Sequence, residues 1–373
     1  MLKRLYTINF IDAFIVGAMT VLVPLLMLDR GIDIATIGMV FALAPLAKAV
    51  VRLAGAGMAD MHGDRVVYIS SSVFNFLQSA VYMVSTTATG FAAGKFLDGA
   101  RESFLWSVVR PSLMAAAPEK KHFAFTDLLS GRFAYNAIGS LAVGALFAFG
   151  GYELPLAVMV ALSAYVVFSS LKLKNFHKAG THAKLSDFTP FGRSRKFYEI
   201  AGAFMLGSAL YSVAFYMLLP LYFASKGFTL GEIGIFYAGY FLIIGAALHF
   251  LSHHRIGTAK SAIGGVAIYC IGIAGVVMAP HALIPLFFLL MAFGDAGLAM
   301  LWEELNYIGG KESSKRATDL SLLVTPSFFG VVATSAVSGA AAAAFGFAPI
   351  FALLAISEIG FAAWCMRLSK MKG

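Results

Sequence analysis

VPLLMLDRGIDIATIGMVFA, residues 23–42, recurs without a gap as LPLYFASKGFTLGEIGIFYA, residues 219–238. The copies share Pro, Leu, Gly, Ile, Gly and Ala at matching places, at an offset of 196 residues. At that offset Leu105-Trp106 falls on Leu301-Trp302 and Phe149-Gly150 on Phe345-Gly346, while Thr126-Asp127-Leu128 recurs as Thr318-Asp319-Leu320, four residues out of register. One register held over so much chain indicates internal duplication. In each copy an apolar run stops at a basic residue and a glycine, Arg30-Gly31 or Lys226-Gly227, and a second apolar run begins.

The whole chain is built of such runs. Of 373 residues 60% are hydrophobic and 13% charged, whereas a soluble domain is about a quarter charged. The surplus apolar surface must meet lipid, so the chain reads as an all-α integral membrane protein. A bilayer core needs about 20 apolar residues per helix. Twelve stretches meet that need, at 6–28, 34–59, 66–86, 89–112, 124–149, 153–172, 199–224, 231–252, 260–279, 282–306, 318–343 and 347–367. The first is too long for the apolar core of a cleaved leader and has no small-residue cleavage pattern near position 20, so it reads as a span. Cys270 and Cys365 lie in separate apolar segments, which excludes a disulfide framework.

The basic segment 172–199 divides the spans six and six. It sets an N-terminal bundle at 1–173, a cytoplasmic linker at 174–198 and a C-terminal bundle at 199–373. The formal charge of +9 follows topology rather than a nucleic-acid surface. With the N-terminus inside, twenty Lys and Arg fall in inner segments and two, Arg30 and Lys226, in outer turns. That asymmetry places both termini in the cytoplasm. Six spans return the chain to its starting face, so the copies are parallel repeats about an axis along the membrane normal. Transporters place substrate sites near mid-bilayer at such repeat interfaces.

The loop between spans two and three reads AGMADMHGDR, residues 56–65. It resembles the signature loop of the major facilitator superfamily, G-x-L-A-D-R-x-G-R-K, matching at Ala59, Asp60, Gly63 and Arg65, with Met58 for Leu, Ala56 for the first Gly, and Met61 and Asp64 for the two Arg. APEKKHFAF (117–125) resembles the family's loop after span four, with Lys121 at the Arg position, and KFLDG (95–99) its span-four motif R-x-x-Q-G. The fifth span lacks the Gly-Pro pair typical of many drug antiporters. The resemblance implies twelve helices in two pseudo-symmetric six-helix bundles around a central cavity lined by spans one, four, seven and ten. It further implies a secondary transporter working by alternating access, with the signature loop at the inner seam between the halves.

GKFLDGARESFLWSVVRP, residues 94–111, carries five charges inside a span. At 100° per residue Lys95, Asp98, Glu102, Trp106 and Arg110 share an arc of about 120°, with Arg101 bordering Asp98. Each charge would cost about 2.5–3.5 kcal/mol at a lipid-exposed helix centre. The stripe therefore faces a polar interior. The N-terminal half adds Asp12, Lys48, Arg52, Asp127 and Arg132 within spans; the C-terminal half has only acids there, Asp295, Glu303, Glu304, Asp319 and Glu358.

The candidate substrate and proton cavity comprises Asp12, Lys48, Arg52, Lys95, Asp98, Arg101, Glu102, Trp106, Arg132, Asn136 and Asp295. The candidate cytoplasmic gate comprises Asp60, Gly63, Arg65, Arg110, Lys121, Glu303 and Glu304. Asp98–Arg101 is expected to be a local pair, and Asp127 and Asp319 to serve helix termini. Glu358, on the family's peripheral last span, is expected to make a local hydrogen bond or a partner contact.

His249 and His253 have i, i+4 spacing, but no carboxylate or thiolate lies near them in sequence, so no metal is expected. No catalytic or phosphate-binding motif is present, so neither enzyme activity nor a cofactor is expected. The proton gradient is the expected energy source, because intramembrane carboxylates can carry protons. The opposed charge of the halves suggests a small zwitterionic or anionic substrate. A facilitator, hydrophobic-compound efflux and a non-transporting sensor or scaffold are the alternatives. The expected partners are a small solute and lipid, with no nucleic acid and a functional monomer, in a prokaryotic plasma membrane.

Overall fold

The computed structural model describes residues 2–116, 123–175, 189, 191–253, 258–310 and 316–370. In the N-terminal half the helices are α1 (Leu2–Asp29), α2 (Ile34–Phe41), α3 (Leu43–His62), α4 (Asp64–Val84), α5 (Ala88–Ala116), α6 (Phe123–Gly150) and α7 (Glu153–Leu171). In the C-terminal half they are α8 (Arg195–Val213), α9 (Leu219–Ser225), α10 (Leu230–His253), α11 (Thr258–Met278), α12 (Ile284–Gly310), α13 (Arg316–Phe345) and α14 (Ala348–Lys370). Two spans are compound: α2 with α3, and α8 with α9 through a π segment, Ala214–Leu218. This gives twelve crossings.

Eleven are long and apolar enough to span a bilayer by length and composition among the described residues. The twelfth is α5, whose charged stripe removes it from that set. Such a helix can be held in a membrane only by packing its polar face inward. The C-terminal half begins with α8 at Arg195, earlier than the expected 199.

Prolines explain both compound spans. Pro45 has no N–H for the Phe41 carbonyl and its ring crowds that turn, so the helix breaks at Ala42. Pro220 crowds the Tyr216 carbonyl in the same way, and the widened π turn just before it absorbs the clash. The outer turns of the two copies match: Gly31 and Gly227 both adopt positive φ, 75° and 88°. A residue with a Cβ would be strained at either. After Gly31, Asp33 caps α2, accepting from the Thr36 N–H at 2.9 Å and the Thr36 hydroxyl at 2.6 Å. Those bonds, the hydroxyl's first, hold its carboxyl below the usual carboxylate range.

The halves meet along two seams, α2 and α3 against α13 and α6 against α10. At the face away from the termini the seams are closed backbone to backbone. A Cβ on Gly38 would stand 2.7 Å from the Ser335 carbonyl oxygen, and one on Gly144 would stand 2.9 Å from Gly231 Cα. Val21, Leu22, Val23, Leu26 and Met27 of α1 and Leu218, Leu219, Leu221 and Phe223 of span seven are buried in one apolar cluster at that end. Small residues permit the approach, and dispersion then supplies the adhesion.

Candidate functional site

A cavity of about 420 Å³ lies between the halves. Away from the termini its lining stops at Thr20, Phe41, Lys95 and Tyr216; toward the terminal face it reaches Arg52, Trp106, Glu303 and Asn306. It therefore stands on the terminal side of the apolar seal. Its size suits a small molecule.

The N-terminal wall is a network of ion pairs. Asp12, on α1 and 2% exposed, is its centre. Its Oδ1 accepts from Arg101 Nη1 at 2.6 Å and Asn75 Nδ2 at 3.1 Å, and its Oδ2 accepts from Arg132 Nη2 at 2.8 Å. Arg132 also donates to the Asn9 carbonyl at 2.9 Å and stacks on Trp106, 5.0 Å from the ring centre. Asp98 Oδ1 accepts from Arg101 Nη2 at 2.9 Å, and its Oδ2 lies 3.5 Å from Lys95 Nζ. Lys95 stands 4.0 Å over the Phe41 ring, which the break at Ala42 places there. Nearer the terminal face Lys48 Nζ lies 2.6 Å from Glu102 Oε2.

The C-terminal wall differs in kind. Asp295 of α12 is 5% exposed and accepts two tyrosine hydroxyls, from Tyr211 and Tyr240, each at 2.7 Å. Glu358 of α14 is 2% exposed, lines the cavity, and its Oε1 has no hydrogen-bond partner among the described residues. Trp302 stands on α12 as Trp106 stands on α5, and both line the cavity. The two tryptophans aligned by the 196-residue repeat thus face one space from opposite walls.

Ten of the eleven candidate cavity residues line this space: Lys48, Arg52, Lys95, Asp98, Arg101, Glu102, Trp106, Arg132, Asn136 and Asp295. Asp12 stands behind them, buried between two arginines. Arg132 pairs with Asp12 and Asn9, not with its helical neighbour Asn136. Lys48 and Glu102, without partners on their own helices, find each other across α3 and α5.

The gate candidates divide differently. Glu303 lines the cavity, and Glu304 lies beside it on α12. Gly63 takes φ 87° and joins α3 to α4. Among the described residues Arg65 makes its contacts within its own half: its N–H donates to Asn175 Oδ1 and its Nη2 to the Leu171 carbonyl, both at 3.0 Å. The signature loop is thereby tied to the end of α7 within its own half. Asp60 and Arg110 lie on α3 and α5 with side chains outside the described set, and Lys121 lies outside the described residues.

Glu358 and Asp127 depart from their expected settings, while Asp319 keeps its place in the first turn of α13 beside the basic linker. Glu358 lines the cavity, because α14 packs against α8 and α12. Asp319 reaches Arg193 at 3.0 Å. Asp127 reaches His249 at 3.4 Å, so a carboxylate does lie beside the histidine pair. That neighbour comes from α6, far away in sequence.

The Major Facilitator Superfamily model matches residues 5–304. The chain belongs to the major facilitator superfamily. It is an integral membrane protein of a transporter family, and its fold agrees over nearly its whole length with solved members. It is similar to a D-xylose–proton symporter at TM-score 0.75 and 11% identity, over 98% of each chain. It is similar to a variant of the nucleoside transporter NupG at TM-score 0.74 and 16% identity, over 98% of this chain and 99% of that one. It is also similar to the human organic anion transporter TETRAN at TM-score 0.67 and 14% identity, over 98% of each chain. No curated protein matches the chain by sequence. Such identities establish the superfamily fold and leave the substrate to the site.

Proposed function

We propose that this superfamily member moves a small zwitterionic solute across the membrane by alternating access, coupled to protons. The charge polarity of the cavity carries the reading. From the N-terminal half come five cations, Lys48, Arg52, Lys95, Arg101 and Arg132, against two acids, Asp98 and Glu102. From the C-terminal half come three acids, Asp295, Glu303 and Glu358, and no Lys or Arg among the described lining. A solute with an anionic and a cationic end fits that field in one orientation. Its anionic end turns to the lysine and arginine wall, and its cationic end to the carboxyls and the rings of Tyr211, Trp302 and Phe361.

Proton coupling rests on the same wall. Asp295 and Glu358 are buried, and the described ion pairs include no cation for either. A carboxyl in that setting can take up and release a proton as its cavity changes faces. The Lys/Arg asymmetry orients both termini to the cytoplasm, so the cavity described here faces inward. The chain acts as a monomer, each copy having its own cavity.

Uptake into proteoliposomes under an imposed pH gradient tests the reading. The arms are zwitterions, organic anions, and the neutral sugars and nucleosides suggested by the similar folds. Gradient-dependent accumulation confined to zwitterions supports it. Accumulation of neutral solutes alone, or equal flux without a gradient, overturns it.

A further inference from the structure

Asp127, His249 and His253 stand together at the terminal ends of α6 and α10. One ligand atom from each lies within 4.8 Å of the other two. His249 Nδ1 is 3.4 Å from Asp127 Oδ1, and the two imidazole rings, one helical turn apart, have centroids 4.2 Å apart. We infer that these three side chains form a binding site for a zinc-class divalent cation that bridges the two halves of the transporter.

The chemistry suits that ion class. Two imidazoles and one carboxylate are a borderline N/O set that leaves coordination positions to water. Ligand atoms at about 2.0–2.1 Å from one zinc stand roughly 3.3 Å apart in a tetrahedron. The His249–Asp127 separation of 3.4 Å is already at that spacing. Closing the rest of a 4.8 Å triangle needs only rotamer adjustment, and all three side chains are exposed.

A second observation concerns orientation. His253 Nδ1 lies 2.8 Å from the His249 carbonyl oxygen. An N–H donated there fixes the tautomer and puts the acceptor lone pair on Nε2, the device by which backbone carbonyls orient metal-bound histidines. The helices carrying the ligands are in close contact one turn away, where a Cβ on Gly245 would meet Phe133 Cβ at 3.0 Å and the Ser130 carbonyl at 3.2 Å. Asp127 and the histidines thus stand at a close helix–helix seam in this arrangement.

The site has a mechanical consequence. Alternating access requires the halves to rock against each other, and a cation held by both would favour the arrangement in which α6 and α10 meet at this face. Metal would bias the transporter toward one state without entering the cavity.

The full chain, carrying an affinity tag without histidine, is titrated with zinc chloride by calorimetry in detergent and with cobalt(II) by visible absorption. One zinc per chain is expected, with cobalt bands of low-coordinate N/O geometry reversed by chelator. His249→Ala and His253→Ala should each weaken binding about tenfold or more. Asp127→Asn should do the same, although it lies on the other half. None of these substitutions touches the cavity, and gel filtration confirms folding. Absence of stoichiometric zinc binding overturns the site. Zinc binding that Asp127→Asn leaves unchanged also overturns it, because the metal would then sit on the histidine pair of α10 and bridge nothing.

Discussion

Arg101 Nη1 stands 2.6 Å from Asp12 Oδ1, joining α5 to α1 where neither side chain is more than 3% exposed. Arg132 takes the other oxygen of the same carboxylate at 2.8 Å. One anion therefore holds two buried guanidinium groups, and three spans of the N-terminal half converge on it. Asp12→Asn preserves shape but leaves both cations without their shared charge. Breaking a buried pair costs about 3–5 kcal/mol. The variant should lose monodisperse protein on heating well below the wild type, as read by fluorescence-detected gel filtration. A wild-type melting profile would show that Asp98 and water already neutralise the arginines.

Lys48 and Glu102 are the contrasting pair, at 2.6 Å but with side chains 20% and 32% exposed to the cavity. Partly hydrated pairs contribute about 0–1 kcal/mol. Glu102→Gln should therefore fold normally. If Glu102 couples proton movement to the solute, the variant abolishes pH-driven accumulation and keeps downhill exchange. Normal accumulation would remove Glu102 from that role and leave Asp295 and Glu358 to carry it.

The cationic end of the solute is assigned to Asp295 and Glu358. Asp295→Asn and Glu358→Gln should each reduce uptake of the zwitterion about tenfold, or about 1.4 kcal/mol. Measured as downhill uptake without a pH gradient, entry of the analogue whose amine is replaced by hydrogen should be spared. Equal loss for both compounds would make these carboxyls structural or proton-binding groups only.

Orientation is tested by single cysteines in a background lacking Cys270 and Cys365. A cysteine at Ser186, in the linker, should be shielded from an impermeant thiol reagent in intact cells. One at Ser225, exposed at the last residue of α9, should react. The reverse pattern would invert the protein and make the cavity outward-facing.

The seal opposite the termini depends on glycine contacts between the halves. Gly38→Val places a branched side chain where even a Cβ would stand 2.7 Å from the Ser335 carbonyl oxygen. The seam should part, and a cysteine at Ser338, buried beside Gly339 at this contact, should gain reactivity. Unchanged labelling together with unchanged transport would show that the helices can slide to accommodate the added volume.

The sequence alone determined whatever depends on distance along the chain. Run length fixed the crossings, because a bilayer sets how many apolar residues a helix needs. The 196-residue repeat fixed the duplication and already placed Trp106 and Trp302 in equivalent positions. The 100° step fixed the charged face of α5, because a helix repeats locally. Pairing across helices was not legible. Asp12 meets Arg101 and Arg132, and Lys48 meets Glu102, through packing that no local period encodes. The same holds for Arg65, which turns to α7 of its own half, and for Glu358, which α14 brings to the cavity. Asp127 and His249 lie 122 residues apart in sequence and at one seam in space. A helix pattern says which face is polar; only the tertiary structure decides which other face it meets, because that choice depends on close packing among all twelve spans at once.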